Sequence, residues 1–256
     1  MTESKRPPAP VGAPSAAQTD NPRTLCIDIG GTGIKTLVVG TGGKRLSERL
    51  RVDTPRPATP RAVIKAILSL AKQQARFDRV SVGFPGVVRR GVVETAHNLH
   101  PGWVGVNIDR MLTKELGKSV RAANDADVQG LGAVKGEGVE LVITLGTGFG
   151  SALFVDGRLV PNVQLGHHAG WDEKTYEEQL GNKAMKKAGK KKWNKRVQKA
   201  VASLAALFHF DRLYIGGGNA QKISVVPPRV MIVSNEEGLL GGLALWKGKE
   251  NRYGVR

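Results

Sequence analysis

The chain has 256 residues, 40% of them hydrophobic, enough for one large domain or two modest lobes around a buried core. Lys and Arg outnumber Asp and Glu by 39 to 22, and the resulting charge of +17 favours polyanionic partners such as nucleic acid, an anionic surface or a chain of phosphates. There is no run of about 18 or more apolar residues, which excludes a spanning helix, and the lone Cys26 excludes an internal disulfide and fits a reducing, cytoplasmic setting.

Residues 1–23 are rich in Pro, Ala, Ser and Thr without the apolar stretch of a secretory signal, and are expected to form a disordered leader. Structure is expected from Thr24. Thr24–Ile29 and Thr36–Val39 read as strands joined by the glycine-rich Asp28-Ile29-Gly30-Gly31-Thr32-Gly33. Arg61–Ala75 carries Val63, Ile67 and Leu70 at helical spacing. Val80–Phe84 is a strand stopped by Pro85-Gly86, Met111–Leu116 a helix stopped by Gly117, and Val120–Ala123 a strand that delivers Asn124 and Asp125 at its end.

The second half repeats the device: Glu140–Leu145 runs into Gly146-Thr147-Gly148-Phe149-Gly150 and Ser151–Val155 leaves as a strand. Trp193–Phe208 places Trp193, Val197, Val201, Leu204 and Phe208 on one helical stripe. Leu213–Ile215 is a strand ending in Gly216-Gly217-Gly218-Asn219, and Glu237–Trp246 reads as a closing helix. Alternating strands and helices predict an α/β layered fold, divided into lobes 24–122 and 123–256, with the last helix packing back on the first lobe.

A glycine turn between strands lets backbone N–H groups approach an anion without a Cβ in the way. The first turn adds Asp28 as a ligand for Mg²⁺, Thr32 as a hydroxyl donor and Lys35 as a charge. Glycine is also the ordinary hairpin residue; a second loop of the same construction tips the reading toward two jaws on one polyphosphoryl group. Phosphoryl transfer to a hydroxyl requires a proton acceptor. Asp125, at the C-terminal edge of a strand, is the candidate base, with Asn124 orienting a sugar hydroxyl; either could equally cap the helix that follows. In Gln164-Leu165-Gly166-His167-His168, the two histidines lack further ligands for zinc. His167 suits a sugar hydroxyl or a structural role. Between Gln179 and Phe210 there is no acidic residue, while Lys183, Lys186, Lys187, Lys190, Lys191, Lys192, Lys195, Arg196 and Lys199 follow one another: a solvated face, or a track for a long polyanion.

The ordered set Asp28-x-Gly-Gly-Thr, Asn124-Asp125, Leu-Gly-Thr-Gly (145–148), Leu-Gly-His-His (165–168) and Gly-Gly-Gly-Asn (216–219) resembles the ROK kinases, and within them the polyphosphate glucokinase subgroup, over about residues 24–247. The resemblance implies an actin-like, hexokinase-like (ribonuclease H-like) fold with two α/β lobes around a cleft. It implies glucose, with mannose as a second hexose, as substrate, and polyphosphate or ATP with Mg²⁺ as donor. Asp125 would be the base. Asn98, Asn124, Gln164, His167 and one of Glu177 or Glu178 would hold the sugar. The donor would be held by Asp28, Gly30, Gly31, Thr32, Gly33, Lys35, Gly146, Thr147, Gly148 and Gly150, with Gly217, Gly218 and Asn219 toward a nucleoside. Lys187, Lys190, Lys191, Lys192, Lys195 and Arg196 would form the polyphosphate track. The family's cysteine-rich zinc motif is absent, and Gln164 stands where the family has Glu. A homodimer is implied. Neither a membrane nor nucleic acid is expected as partner, because the sugar-responsive repressors of the family carry a DNA-binding segment ahead of the core, whereas only the Pro-rich leader precedes Thr24.

Overall fold

A computed structural model describes residues 21–247; the expected leader, apart from its last three residues, and residues 248–256 lie outside the described residues. In the first half, β1 (Thr24–Ile29), β2 (Gly33–Val39), β3 (Leu50–Asp53), α1 (Pro60–Gln73), β4 (Arg79–Phe84), the hairpin β5 (Val88–Arg89) and β6 (Val92–Val93), α2 (Ile108–Leu116) and β7 (Ser119–Asn124) follow in order. In the second come α3 (Asp125–Ala133), β8 (Val139–Leu145), β9 (Phe149–Val155), β10 (Arg158–Val160), α4 (Tyr176–Leu180), α5 (Asn182–Ala188), α6 (Lys190–Phe208), β11 (Arg212–Gly216), β12 (Val230–Ile232) and α7 (Asn235–Leu240).

The repeated device of the sequence is a repeated sheet. The orders are β3-β2-β1-β4-β7 and β10-β9-β8-β11-β12. In each, three antiparallel strands are followed by two parallel ones. Period-2 alternation explains why both faces of β1 are covered. Leu25, Ile27 and Ile29 pack with Val63, Ile67 and Leu70 of α1, while Cys26 points the other way to Leu37, Val39 and Leu239. Burial pushes the Cys26 thiol up to about 12, so it stays protonated and unreactive. Thr59 caps α1 by accepting from Ala62 N, with Pro60 in the first turn. Gly117 ends α2 in the left-handed conformation at φ 62°. The stripe predicted on α6 forms the second core, with Trp193 fully buried and its indole N–H donating to Leu180 O at 2.8 Å.

The closing helix differs from expectation. α7 stops at Leu240, and Gly241–Trp246 continues as 3₁₀ turns. The reason is close packing: a Cβ on Gly241 would lie 1.8 Å from Val128 O, and one on Gly242 2.9 Å from Cys26 Sγ. This segment lies on the first sheet. Ser81 Oγ donates to Gly242 O at 2.6 Å, Trp246 Nε1 donates to Ser81 Oγ at 2.8 Å, and the Trp246 ring takes the guanidinium groups of Arg79 and Arg121 at 5.0 and 4.5 Å.

Candidate active site

The glycine-rich ends of the two sheets face one another across a cleft of about 410 Å³. The first loop is pinned at both ends: Gly30 N donates to Gly33 O at 3.0 Å, and Thr54 Oγ1 donates to Gly30 O. Gly31 is where the two jaws approach, since a Cβ there would lie 3.4 Å from Asn98 and 3.5 Å from the Thr147 methyl. In the second loop Gly146 N donates to Gly148 O at 3.1 Å, and Gly146 O accepts from Asn182 N at 2.9 Å and Asn219 Nδ2 at 3.3 Å.

Two of the residues expected on the donor side, Lys35 and Asn219, line the cleft and also hold its own frame. The register of β1 and β2 sets Asp28 opposite Lys35, and Lys35 Nζ donates to Asp28 Oδ2 at 2.7 Å, so the two charges enter the cleft as an ion pair. Asn219, 4% exposed, braces the second loop: its backbone N–H donates to Leu145 O and its Oδ1 accepts from Lys222. Gly217 is at φ 87°, where a Cβ would lie 2.4 Å from Leu145 O, whereas Gly146 and Gly218 have open space beside them.

β7 delivers Asn124 and Asp125 into α3 as the sequence suggests, and the cap is Asn124. Its Oδ1 accepts from Ala126 N at 2.9 Å and Asp127 N at 3.1 Å, while its Nδ2 donates to Gly86 O at 3.1 Å. One amide hydrogen remains for a ligand, so Asn124 chiefly fixes the turn from which Asp125 faces the cleft. Burial, and then the nearby negative charge of Asp28, push the Asp125 carboxyl up to about 7. This is the range in which a carboxylate works as a base at neutral pH.

Asn98, Gln164, His167 and Glu177 line the same cleft. Of the two carboxylates left open by the sequence, Glu177 faces the cleft and accepts from Phe149 N at 3.2 Å. Glu178 does not line it: it closes a capping box with Thr175, accepting from that residue's N–H at 2.8 Å and hydroxyl at 3.1 Å. A Cβ on Gly148 would lie 2.2 Å from Glu177 Oε2. Gly148→Ala is therefore expected to displace Glu177 and to lower kcat/KM by about tenfold or more; steady-state kinetics checks this, and a small effect would mean that Glu177 does not work from this position.

His97, Arg51, Gln129, Thr144 and Asn182 also line the cleft and were not singled out from the sequence. The His97 ring lies 4.1 Å from that of His167, centroid to centroid. Arg51 pairs in register with Lys35, which a reading of β3 as a strand would have revealed. None of Lys187, Lys190, Lys191, Lys192, Lys195 and Arg196 lines the cleft. The five lysines are exposed, and Arg196 reaches Gln179 O at 3.4 Å. The run nevertheless starts at the cleft, because Asn182, first residue of α5, is in its wall. Among the described residues no three His, Cys, Asp or Glu side chains converge as metal ligands. A single carboxylate fits magnesium, whose remaining positions go to phosphate and water, and Lys35 takes only Oδ2 of Asp28.

Two sheets of one topology with paired glycine loops at their facing edges define the actin-like, hexokinase-like class of phosphotransferase fold. The ROK family matches residues 24–171, and the chain belongs to that family. It is 36% identical over 207 residues to the polyphosphate glucokinase of Mycobacterium tuberculosis H37Rv, covering 77% of each chain. It also resembles the inorganic polyphosphate/ATP-glucomannokinase of Arthrobacter sp. strain KM, at 36% identity and a TM-score of 0.80 over 87% of this chain and 97% of that one. A ROK family glucokinase from Streptomyces griseus, solved with glucose and AMPPNP, shares the fold at 21% identity, with a TM-score of 0.72 over 87% of this chain and 98% of that one.

Proposed function

We propose that the protein transfers a phosphoryl group from inorganic polyphosphate to the 6-hydroxyl of glucose, with ATP as a second donor. The observation that carries this reading is Asp125, a carboxyl raised to about 7 in the cleft between two facing glycine loops. Asn98, His167, Glu177 and Gln164 hold the hexose so that its 6-hydroxyl lies against Asp125. As the hydroxyl oxygen attacks the terminal phosphorus, its proton passes to Asp125, the new P–O bond forms, and the bond to the shortened polyphosphate breaks. Backbone N–H groups of both loops cradle the donor. Magnesium, held by Asp28 with donor oxygens, would neutralise charge on the transferred group. The exposed lysines of α5 and α6 carry the distal polyphosphate. The sheets form the working lobes, 24–122 and 123–256. The protein acts in the cytoplasm as a homodimer and leaves nucleic acid alone.

The test is glucose 6-phosphate formation with Mg²⁺, comparing polyphosphate with ATP and glucose with mannose. Turnover with polyphosphate supports the proposal; turnover with ATP alone makes this an ATP-dependent hexose kinase; none with either donor refutes it. Gln164 is a neutral acceptor where a carboxylate would accept more strongly. Gln164→Glu is therefore expected to lower KM for glucose, and an unchanged or higher KM contradicts that.

A further inference from the structure

Asp127 lies in the first turn of α3 and is only 2% exposed, yet it is absent from the cleft wall. Its Oδ2 accepts the backbone N–H of Asn162 at 3.0 Å, and its Oδ1 is buried with no hydrogen-bond partner. Asn162, held at φ 61°, turns its own side chain onto β5: Oδ1 accepts from Val88 N at 3.3 Å and Nδ2 donates to Val88 O at 3.4 Å. The amide thus copies a strand partner and joins the hairpin of the first half to the loop following β10. That loop carries Gln164 two residues on and His167 five residues on. The same turn of α3 holds Asn124, bonded to Gly86 O just ahead of Val88. The first turn of α3 therefore anchors a stretch on each side of the cleft and carries Asp125 between the two anchors.

We infer that Asp127 is a positioning residue: through Asn162 and Val88 it sets the register of the Gln164–His167 loop against Asp125, and so governs hexose binding rather than donor binding. The donor loops are held independently, by Thr54, Asn182 and Asn219. A buried carboxylate is a costly way to hold one backbone N–H. The bond is charge-assisted and stronger than a neutral one, which suits an anchor. Burial raises this carboxyl to about 7, so the anchor is offset by the cost of its own charge. The inference rests on the sugar site proposed above.

The experiment compares Asp127→Ala, Asp127→Asn and Asn162→Gly with the wild type. It measures KM for glucose and for polyphosphate, kcat, and glucose affinity by calorimetry without donor. Asp127→Ala strands a buried N–H and is expected to weaken glucose about tenfold in both KM and calorimetry, with KM for polyphosphate within about twofold. Asp127→Asn keeps an acceptor oxygen and is expected to restore glucose affinity to within about threefold. Asn162→Gly tolerates the positive φ while deleting the Val88 bridge, and is expected to weaken glucose several-fold. If Asp127→Ala does not fold, Asn162→Gly decides. Unchanged glucose affinity in folded Asp127→Ala or in Asn162→Gly, or a parallel loss for both substrates, overturns the inference. A wild type that binds glucose without turnover would refute the proposed reaction and leave this test intact; a wild type that binds no sugar would end the sugar-site reading, and the inference with it.

Discussion

Asp125→Asn is expected to lower kcat about 10²–10⁴-fold, the contribution of a positioned base, while glucose still binds in calorimetry. In the free wild-type enzyme kcat/KM should fall about tenfold per unit below pH 7, because Asp125 must be ionised to accept the proton and its carboxyl is raised to about 7 by burial and then by Asp28. The stability consequence has the opposite sign from that of an ion-paired carboxylate. The folded carboxyl lies near 7 against 3.8 for the ordinary group, so between about pH 4 and 7 the folded chain holds a proton that the unfolded chain has released. Stability contributed by this group is therefore lost as pH rises through that window. Asp125→Asn should raise Tm at pH 8 and change it little at pH 4. A variant that is inactive but no more stable at pH 8 would mean that Asp125 is not held against ionisation. A variant that retains full turnover would remove it as the base.

Replacing Lys190, Lys191 and Lys192 with Gln is expected to raise KM for long-chain polyphosphate about tenfold or more at low salt and to leave KM for ATP unchanged. The salt dependence supplies the sharper reading. Each phosphate contact releases counterions, with a log–log slope of about 0.7 per contact on a flexible single-stranded polyanion, so losing three contacts should flatten the slope by about 2. These side chains are exposed at the start of α6, beyond α5, whose first residue lies in the cleft wall, and ATP is too short to need them. No change with either donor would make the run an ordinary solvated face, and a parallel loss with both would tie it to the fold or the shared machinery rather than to a polyphosphate track.

The elements with strong periodicity were legible. The apolar spacing of α1 and α6 and the two glycine turns each rest on local sequence, and the structure moves their boundaries by only a few residues. β3 was not legible, because Leu50–Asp53 lies at a sheet edge with Arg51 and Asp53 exposed, and a short charged segment reads as loop. α4, with five residues, is too short for a helical stripe to register. The choice between Glu177 and Glu178 was open to reading all the same: Thr175-x-x-Glu178 is a capping-box signature that commits the second carboxylate to the helix start. The Lys35–Asp28 pair lay out of reach for a different reason. It depends on the cross-strand register of β1 and β2, and a shift of one residue would have sent Lys35 to the other face. The Asp127–Asn162–Val88 chain joins residues 35 and 74 positions apart, and no local pattern encodes such a meeting.

The return of the last described turns to the first sheet bears on how the chain is made. Ser81 meets its partner Gly242 across 161 positions, and Cys26, Leu37 and Val39 have their cover in Leu239 and its neighbours. During synthesis one apolar side of the earliest sheet stays bare until Leu239 and its neighbours have left the ribosome. Such long-range closure slows folding and prolongs the exposure of aggregation-prone surface. The nascent first half is thus exposed to aggregation for that interval, and a nonsense codon before Leu239 is expected to yield an incompletely covered fragment suited to rapid proteolysis.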